Sequence, residues 1–237
     1  MFYVRLVNYN LYIGTMESKL KVILTGSTGM VGEGVLYELL LNKRVEKVLV
    51  INRKPCAYNH PKLKEIIHSD FADLSAIESK LVDYDSCLFC AGVTSVGKKE
   101  KEFYKLTYTL TLSFAQTLAR LNPEMTFCYI SGQGTDSTEK GRVMWARVKG
   151  KTENDLTKLP FKAVYNFRPG ALEPIKGLKY TQDYYKYIGW LMPVFRVIMP
   201  NSVCYLKDLA LAMIRVSISG YSKSTVEVKD IKVLAKM

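Results

Sequence analysis

"TGSTGMVGEG", residues 25–34, decides how this chain folds. It follows the apolar run "LKVILTG" (20–26), a strand pattern, and runs into "MVGEGVLYELLLN" (30–42), whose apolar positions recur at helical spacing. Gly26, Gly29 and Gly32 stand at G-x-x-G-x-x-G spacing across the junction. At such a turn the first glycine permits a tight exit from the strand, the second lets backbone approach a pyrophosphate, and the third lets the helix sit close to the sheet. The helix amino terminus then faces the phosphates with its free amides. Gly26, Ser27, Thr28, Gly29, Met30, Val31 and Gly32 are the expected cradle of a dinucleotide, since the motif follows a strand and opens a helix.

Outward from that turn, strand and helix signals alternate. Strand patterns occur at 45–53, 63–71, 86–92, 125–132 and 161–170, with helical patterns near 74–81, over 100–121, and in "VMWARVKGKTEND" (143–155). Such alternation predicts an α/β fold, a Rossmann-type doubly wound parallel sheet with helices on both faces. The reading is one domain over 18–237, with a C-terminal lid or substrate-side region at about 171–237 that ends in a strand-like "STVEVKDIKVL" (224–234). Residues 1–17 read as an appendage with little ordered structure, or an upstream-start artefact. "IGWLMPVFRVIMP" (188–200) contains Pro193 and Arg196 and reads as a packed helix, a lid or an interfacial patch rather than a membrane span.

Composition is that of an ordinary globular chain: 48% hydrophobic and 24% charged residues over 237 positions. The net charge of +12 is spread along the chain rather than concentrated in runs, which favours an anionic cofactor or substrate over nucleic acid. A small-molecule substrate and a monomer or homodimer are expected. Five cysteines and no recognisable secretory leader predict a reducing, cytoplasmic setting. Cys87 and Cys90 have C-x-x-C spacing, but an offset of three on a strand puts their thiols on opposite faces, against chelation or a disulfide. His60 and His68 lie in no ligand cluster, so no metal site is expected.

The second strand ends in Asn52, Arg53 and Lys54, where an NAD-selective site places Asp or Glu for the ribose hydroxyls. A carboxylate there repels a 2′-phosphate, whereas Arg53 offers two parallel donors to it. Lys54 adds charge and Ser27 a hydroxyl, so NADP(H) is expected over NAD(H). "HSDFADL" places Asp70 and Phe71 at the adenine, with helix capping as the competing role for Asp70. Ala91 and Gly92 are small enough to let the cofactor ribose pass close to the backbone.

"TGSTGMVG", "NRK", "SDF", "CAG", "YISG", "ARVKGKTE" and "NFRPG" follow one another in an order that resembles the short-chain dehydrogenase/reductase superfamily, most of all its extended and atypical, epimerase-like branches. The resemblance spans about residues 20–175, with a looser echo at 205–214. It implies a Ser–Tyr–Lys site in which tyrosine exchanges a proton with the substrate, lysine binds the nicotinamide ribose and lowers the tyrosine pKa, and serine polarises a carbonyl. Lys149 fits the lysine and Ser131 the serine, while Gly132 occupies the place of a second serine. Pro169 and Gly170 are expected against the nicotinamide amide. The tyrosine position, one helical turn before Lys149, holds Trp145. An indole N–H donates a hydrogen bond but does not ionise where a general acid works.

Other proton sources in the sequence are Tyr108, Tyr129, Tyr165, Tyr180, Tyr184 and Tyr185, with Thr135 and Asp136 on the loop after "SGQG". Arg168 is read as an anchor for an anionic substrate or as an internal ion pair. Two functions follow: an NADP(H)-dependent oxidoreductase with a displaced or missing acid, or a weakly active or inactive NADPH-binding sensor or scaffold.

Overall fold

The computed structural model describes residues 19–180, 198–199 and 201–237. Strand β1 (Leu20–Thr25) enters the glycine turn and helix α1 (Met30–Leu41) leaves it. The alternation continues through β2 (Val45–Asn52), β3 (Leu63–Ile67), a 3₁₀ segment (Ser75–Lys80) and β4 (Ser86–Phe89). Helix α2 (Glu100–Tyr104) passes through a π segment (Lys105–Thr109) into α3 (Leu110–Leu121), ahead of β5 (Thr126–Ile130) and α4 (Met144–Leu156). The chain then forms β6 (Ala163–Arg168), β7 (Ala171–Glu173), β8 (Val203–Tyr205), α5 (Leu206–Ser219), β9 (Thr225–Glu227) and α6 (Val228–Leu234).

The main sheet has the order β3-β2-β1-β4-β5-β6-β9, with every neighbouring pair parallel. This is the doubly wound sheet the sequence predicts. Its order reverses between β1 and β4, the switch point at whose carboxyl ends ligands bind in such sheets. The strands read as continuous apolar runs because both faces are covered. One face carries α1, α5 and α6, with Val35, Leu36 and Leu39 packed with Leu209, Met213 and Ile231. The other carries the 3₁₀ segment, α3 and α4, where Phe114 meets Phe71 and Phe89 at ring-centroid distances of 5.5 and 5.3 Å. Cys87 belongs to the second core and Cys90 packs on the first, the opposite faces that their offset requires.

Several boundaries differ from the sequence reading. Pairing stops at Phe89 and Ile130, so Cys90–Gly92 and Ser131–Gly132 are free to line the carboxyl edge. β3 stops at Ile67, ahead of Asp70 and Phe71. The strand-like 224–234 is strand only at Thr225–Glu227. A reciprocal capping box between Glu227 and Asp230 starts α6 there, and Val228, Ile231 and Leu234 recur at helical spacing to bury one face. The appendage at 1–17 lies outside the described residues, as do 188–197 and Pro200 of the lid candidate. Among the described residues no helix is long and apolar enough to cross a membrane.

Candidate functional site

The glycine turn is shaped by close contact. Gly26 has φ +75°, and a β-carbon there would lie 2.7 Å from the Ala91 amide nitrogen. A β-carbon on Gly32 would lie 2.1 Å from the Gly26 carbonyl oxygen. Gly29, the N-cap of α1, is extended and no side chain caps the helix. The first bond within α1 runs from the Glu33 amide to the Gly29 carbonyl at 2.8 Å, so the amides of Met30, Val31 and Gly32 precede any helical partner. An uncapped, glycine-walled helix start of this kind fits a diphosphate.

Two adjoining cavities of about 370 Å³ each share Gly29, Cys90, Ala91, Gly92 and Val93 and form one groove over the switch point. The first lies where the sequence reading expects the adenosine: Gly26, Thr28, Arg53 and Phe71 line it. Asn52, Ser69, Leu106 and Leu110 line it too, and the sequence reading gave them no role. Position alone would have found Ser69 and Asn52, beside residues already singled out. Leu106 comes from the π segment, which periodicity reads as plain helix. The second cavity, the end where the nicotinamide is expected, is lined by Met30, Val31, Gly32, Ser131, Lys149, Pro169 and Gly170, with Ile130, Gly132 and Leu172 beside them.

Three expected cofactor residues lie outside the groove. Ser27 is fully buried, and its hydroxyl accepts from Asn52 Nδ2 at 2.8 Å, which ties the turn to the end of β2. Asp70 accepts the Ala72 amide at 2.9 Å, the local capping role that competed with adenine binding. Lys54 is exposed and lines neither cavity.

At the nicotinamide end, Lys149 lies half-buried along the wall and Nζ donates to the Ser131 carbonyl. Protein atoms crowd its ammonium, and desolvation brings its pKa down to about 8 against an opposing pull from Glu153. The Ser131 hydroxyl donates to Glu153 Oε1, with the Phe167 carbonyl as a second acceptor at 3.1 Å, so its proton is turned away from the groove. Glu153 is buried, and Arg168 donates to it from Nε at 3.0 Å and from Nη2 at 2.5 Å. Arg168 also meets Glu227 at 3.5 Å and Ser137 Oγ at 2.6 Å. Its charge is committed inside the fold, which settles it as an internal ion pair and not a substrate anchor. Glu153 follows Lys149 by one turn, a spacing visible in the sequence, but its partner on β6 is not.

Trp145 does not enter the groove. It is half-buried, its ring packed toward Gly134, where an added β-carbon would lie 3.6 Å from Cη2. Five of the other proton candidates are bonded or buried elsewhere, and Tyr180 lines neither cavity. Tyr108 donates to Asp155 Oδ2 at 2.8 Å, and burial with that carboxylate pushes its phenol up to about 12. The Tyr165 hydroxyl bonds to the Tyr221 backbone, and burial raises the Tyr129 phenol far above its usual range. Thr135 donates to the Gly132 carbonyl at 2.7 Å. Asp136 is held by Thr138 and Gly141, which lower its pKa. Tyr184 and Tyr185 lie outside the described residues. Burial raises the Cys90 thiol well beyond a reactive range. Among the described residues no cluster of His, Cys, Asp or Glu could hold a metal ion.

Behind the glycine turn sits Glu33, fully buried in the first turn of α1. Its Oε1 accepts from the Tyr58 hydroxyl at 3.0 Å and the Lys179 amide at 2.8 Å, and its Oε2 accepts from the Tyr180 amide at 2.6 Å. One carboxylate thus joins the cofactor helix, the β2–β3 loop and the C-terminal region.

The sequence model of the NAD dependent epimerase/dehydratase family matches residues 22–140. The chain is 32% identical over 158 residues to "Protein fmp52, mitochondrial" of Emericella nidulans, covering 64% of this chain and 66% of that one. It is 29% identical over 163 residues to "Leucinostatins biosynthesis cluster protein T" of Purpureocillium lilacinum, covering 66% and 60%. The alignments span under two thirds of the length of these curated relatives. Among solved structures, the chain superposes on the Bordetella bronchiseptica enzyme WbmF, a complex with NAD+, with TM-score 0.64, 14% identity and coverage of 93% and 77%. It superposes on ADP-L-glycero-D-manno-heptose-6-epimerase of Helicobacter pylori with TM-score 0.64, 15% identity and coverage of 95% and 84%. The mitochondrial names of the fungal relatives overturn the cytoplasmic expectation. All five thiols are free, which does not distinguish one compartment from another.

Proposed function

Because the chain belongs to the NAD dependent epimerase/dehydratase family and is an NAD(P)-binding, epimerase-like protein, we propose that it is an oxidoreductase that prefers NADP(H) to NAD(H). The observation that carries the preference is Arg53 on the wall of the adenosine cavity, at the end of β2, where no carboxylate lines the groove. A guanidinium there pairs with a 2′-phosphate and has nothing comparable to hold on a 2′-hydroxyl. Arg53→Ala is expected to weaken NADPH binding about tenfold or more while leaving NADH within about twofold, a loss of one charge-assisted contact of roughly 1.5–3 kcal/mol. Calorimetric titration with both cofactors checks this, and equal weakening of the two would overturn the preference.

The glycine turn and the α1 amides would hold the diphosphate, Phe71 the adenine and Lys149 the nicotinamide ribose. Pro169 and Gly170 would border the nicotinamide amide. When bound, the dinucleotide supplies or accepts hydride. The chain's own residues orient it and exclude water, and Met30, Val31, Ile130 and Leu172 favour a small substrate with an apolar face. A mitochondrial location follows that of the fungal relatives.

A cofactor-holding sensor or scaffold is the second reading. It is favoured by Trp145 standing outside the groove and by the Ser131 hydroxyl facing Glu153. A panel of carbonyl and quinone acceptors separates the two, since NADPH binding without turnover favours the sensor. Trp145→Tyr is expected to confer no turnover beyond that of the wild type, because the side chain at this position faces Gly134. A gain of activity would contradict that placement.

A further inference from the structure

Beneath the nicotinamide end lies a buried charged group that the sequence reading gave no role. Glu153 accepts the Ser131 hydroxyl and is gripped by two nitrogens of Arg168. The carbonyl of that same Ser131 accepts from Lys149 Nζ. Lys149 has no carboxylate within ion-pair distance among the described residues, since Glu153, one turn along α4, points to Arg168 and Ser131 instead. The ionisable groups that meet this corner from neighbouring elements are Arg168 of β6, with Glu227 of β9 beyond it, Tyr129 of β5 and Cys90 at the end of β4, with Glu153 on α4 itself.

We infer that Glu153 is a positioning residue of the dinucleotide site: clamped by Arg168, it fixes Ser131 so that its carbonyl meets the Lys149 ammonium, and so holds that ammonium where the cofactor ribose would bind. The inference deepens the proposed NADP(H) binding and rests on it. Three observations lead to it. Glu153 is the carboxylate whose field acts on Lys149, raising its proton affinity against the desolvation that lowers it. It is too buried for the role of a surface ion pair, with 3% of its surface exposed. Its geometry runs through the one residue whose backbone touches Lys149 and whose side chain touches Glu153.

The sign follows from linkage. An ammonium facing ribose hydroxyls binds the cofactor better than a neutral amine, so binding takes up a proton and affinity falls as pH rises past the free-state pKa. Fluorescence titration with NADPH from pH 7 to 10, above the second ionisation of its 2′-phosphate at about 6, should give constant affinity below about 8 and a decline of up to tenfold per pH unit above it. In Glu153→Gln the decline should begin about one pH unit lower, with the carboxylate's field removed. In Lys149→Arg, permanently charged, affinity should not vary with pH across the range. Glu153→Gln takes from Arg168 its buried carboxylate, leaving it Glu227 at 3.5 Å and Ser137, and is prone to unfold. Ser131→Ala, which removes only the hydroxyl link, should move the onset the same way by a smaller amount.

A cofactor-free readout separates this proposal from the cofactor reading. The Lys149 Cε resonance in 13C-lysine-labelled protein, assigned with Lys149→Arg, should titrate near 8 in wild type and lower in both variants. Absence of NADPH binding by the wild type would sink the cofactor reading while this titration still judged Glu153. A lowered melting temperature with an unchanged Lys149 titration in both variants would make Glu153 merely structural and overturn the proposal.

Discussion

Gly32→Ala is expected to abolish dinucleotide binding and to lower the melting temperature. The added methyl would stand 2.1 Å from the Gly26 carbonyl oxygen and 2.9 Å from the Ser27 amide nitrogen, both backbone atoms that cannot rotate away. Helix α1 must then lift from the turn. Overpacking of this kind costs up to about 3 kcal/mol, or roughly 6–12 °C for a chain of this size. The functional effect exceeds the structural one. The amides of Met30 and Val31 act on a diphosphate only at hydrogen-bonding distance, so a displacement of about 1 Å removes their contribution. Affinity for NADPH and NADH should fall together by at least about a hundredfold. Calorimetry beside a thermal melt checks both parts, and a variant that melts lower yet binds normally would show that the turn does not hold the phosphates.

The second large effect has the opposite sign for stability. Desolvation pushes the Lys149 ammonium down to about 8 in the folded chain from a usual 10.5. A lysine whose folded pKa is depressed destabilises the protein in full below the folded value, because the folded state must keep a poorly hydrated charge. As pH rises from about 8 to 10.5 the folded state releases the proton first and the penalty fades. The shift corresponds to about 3 kcal/mol, and contact with water in the groove brings the expected gain on removing the charge to about 2 kcal/mol. Lys149→Met should therefore melt roughly 4–8 °C higher at pH 7. That advantage should vanish by about pH 10.5, while NADPH affinity falls at least tenfold at neutral pH. Melting curves at both pH values test the sign: a variant less stable than wild type at pH 7 would show that the ammonium is well paired.

The fold was legible because its evidence is local and repeated. Each strand announces itself as an apolar run, and the G-x-x-G-x-x-G turn encodes its own geometry in three residues without side chains. Arg53 and Phe71 were also within reach, since their distance from that turn fixes where they emerge at the sheet edge. Ser27 and Asp70 were misplaced for a reason that sequence hides, the direction of a short polar side chain at a bend. Ser27 turns inward to Asn52, and Asp70 closes its own turn. Trp145 shares a helix face with Lys149 by spacing, yet the loop at Gly134 intervenes and only Lys149 reaches the groove. Glu153 went unread because its role depends on Arg168, fifteen positions away on another element. The free thiols do not distinguish one compartment from another, which is why the location was misjudged.

The linkage at Glu33 constrains any attempt to re-engineer nucleotide preference. The connection that carries Arg53 and Lys54 also carries Tyr58, whose hydroxyl supplies one of the three donors to that carboxylate. A transplanted loop chosen only for its selectivity at the ribose would strip a donor from a fully enclosed anion at the base of α1. A change aimed at nucleotide preference is therefore better made by a single replacement at Arg53 than by exchanging the whole β2–β3 connection.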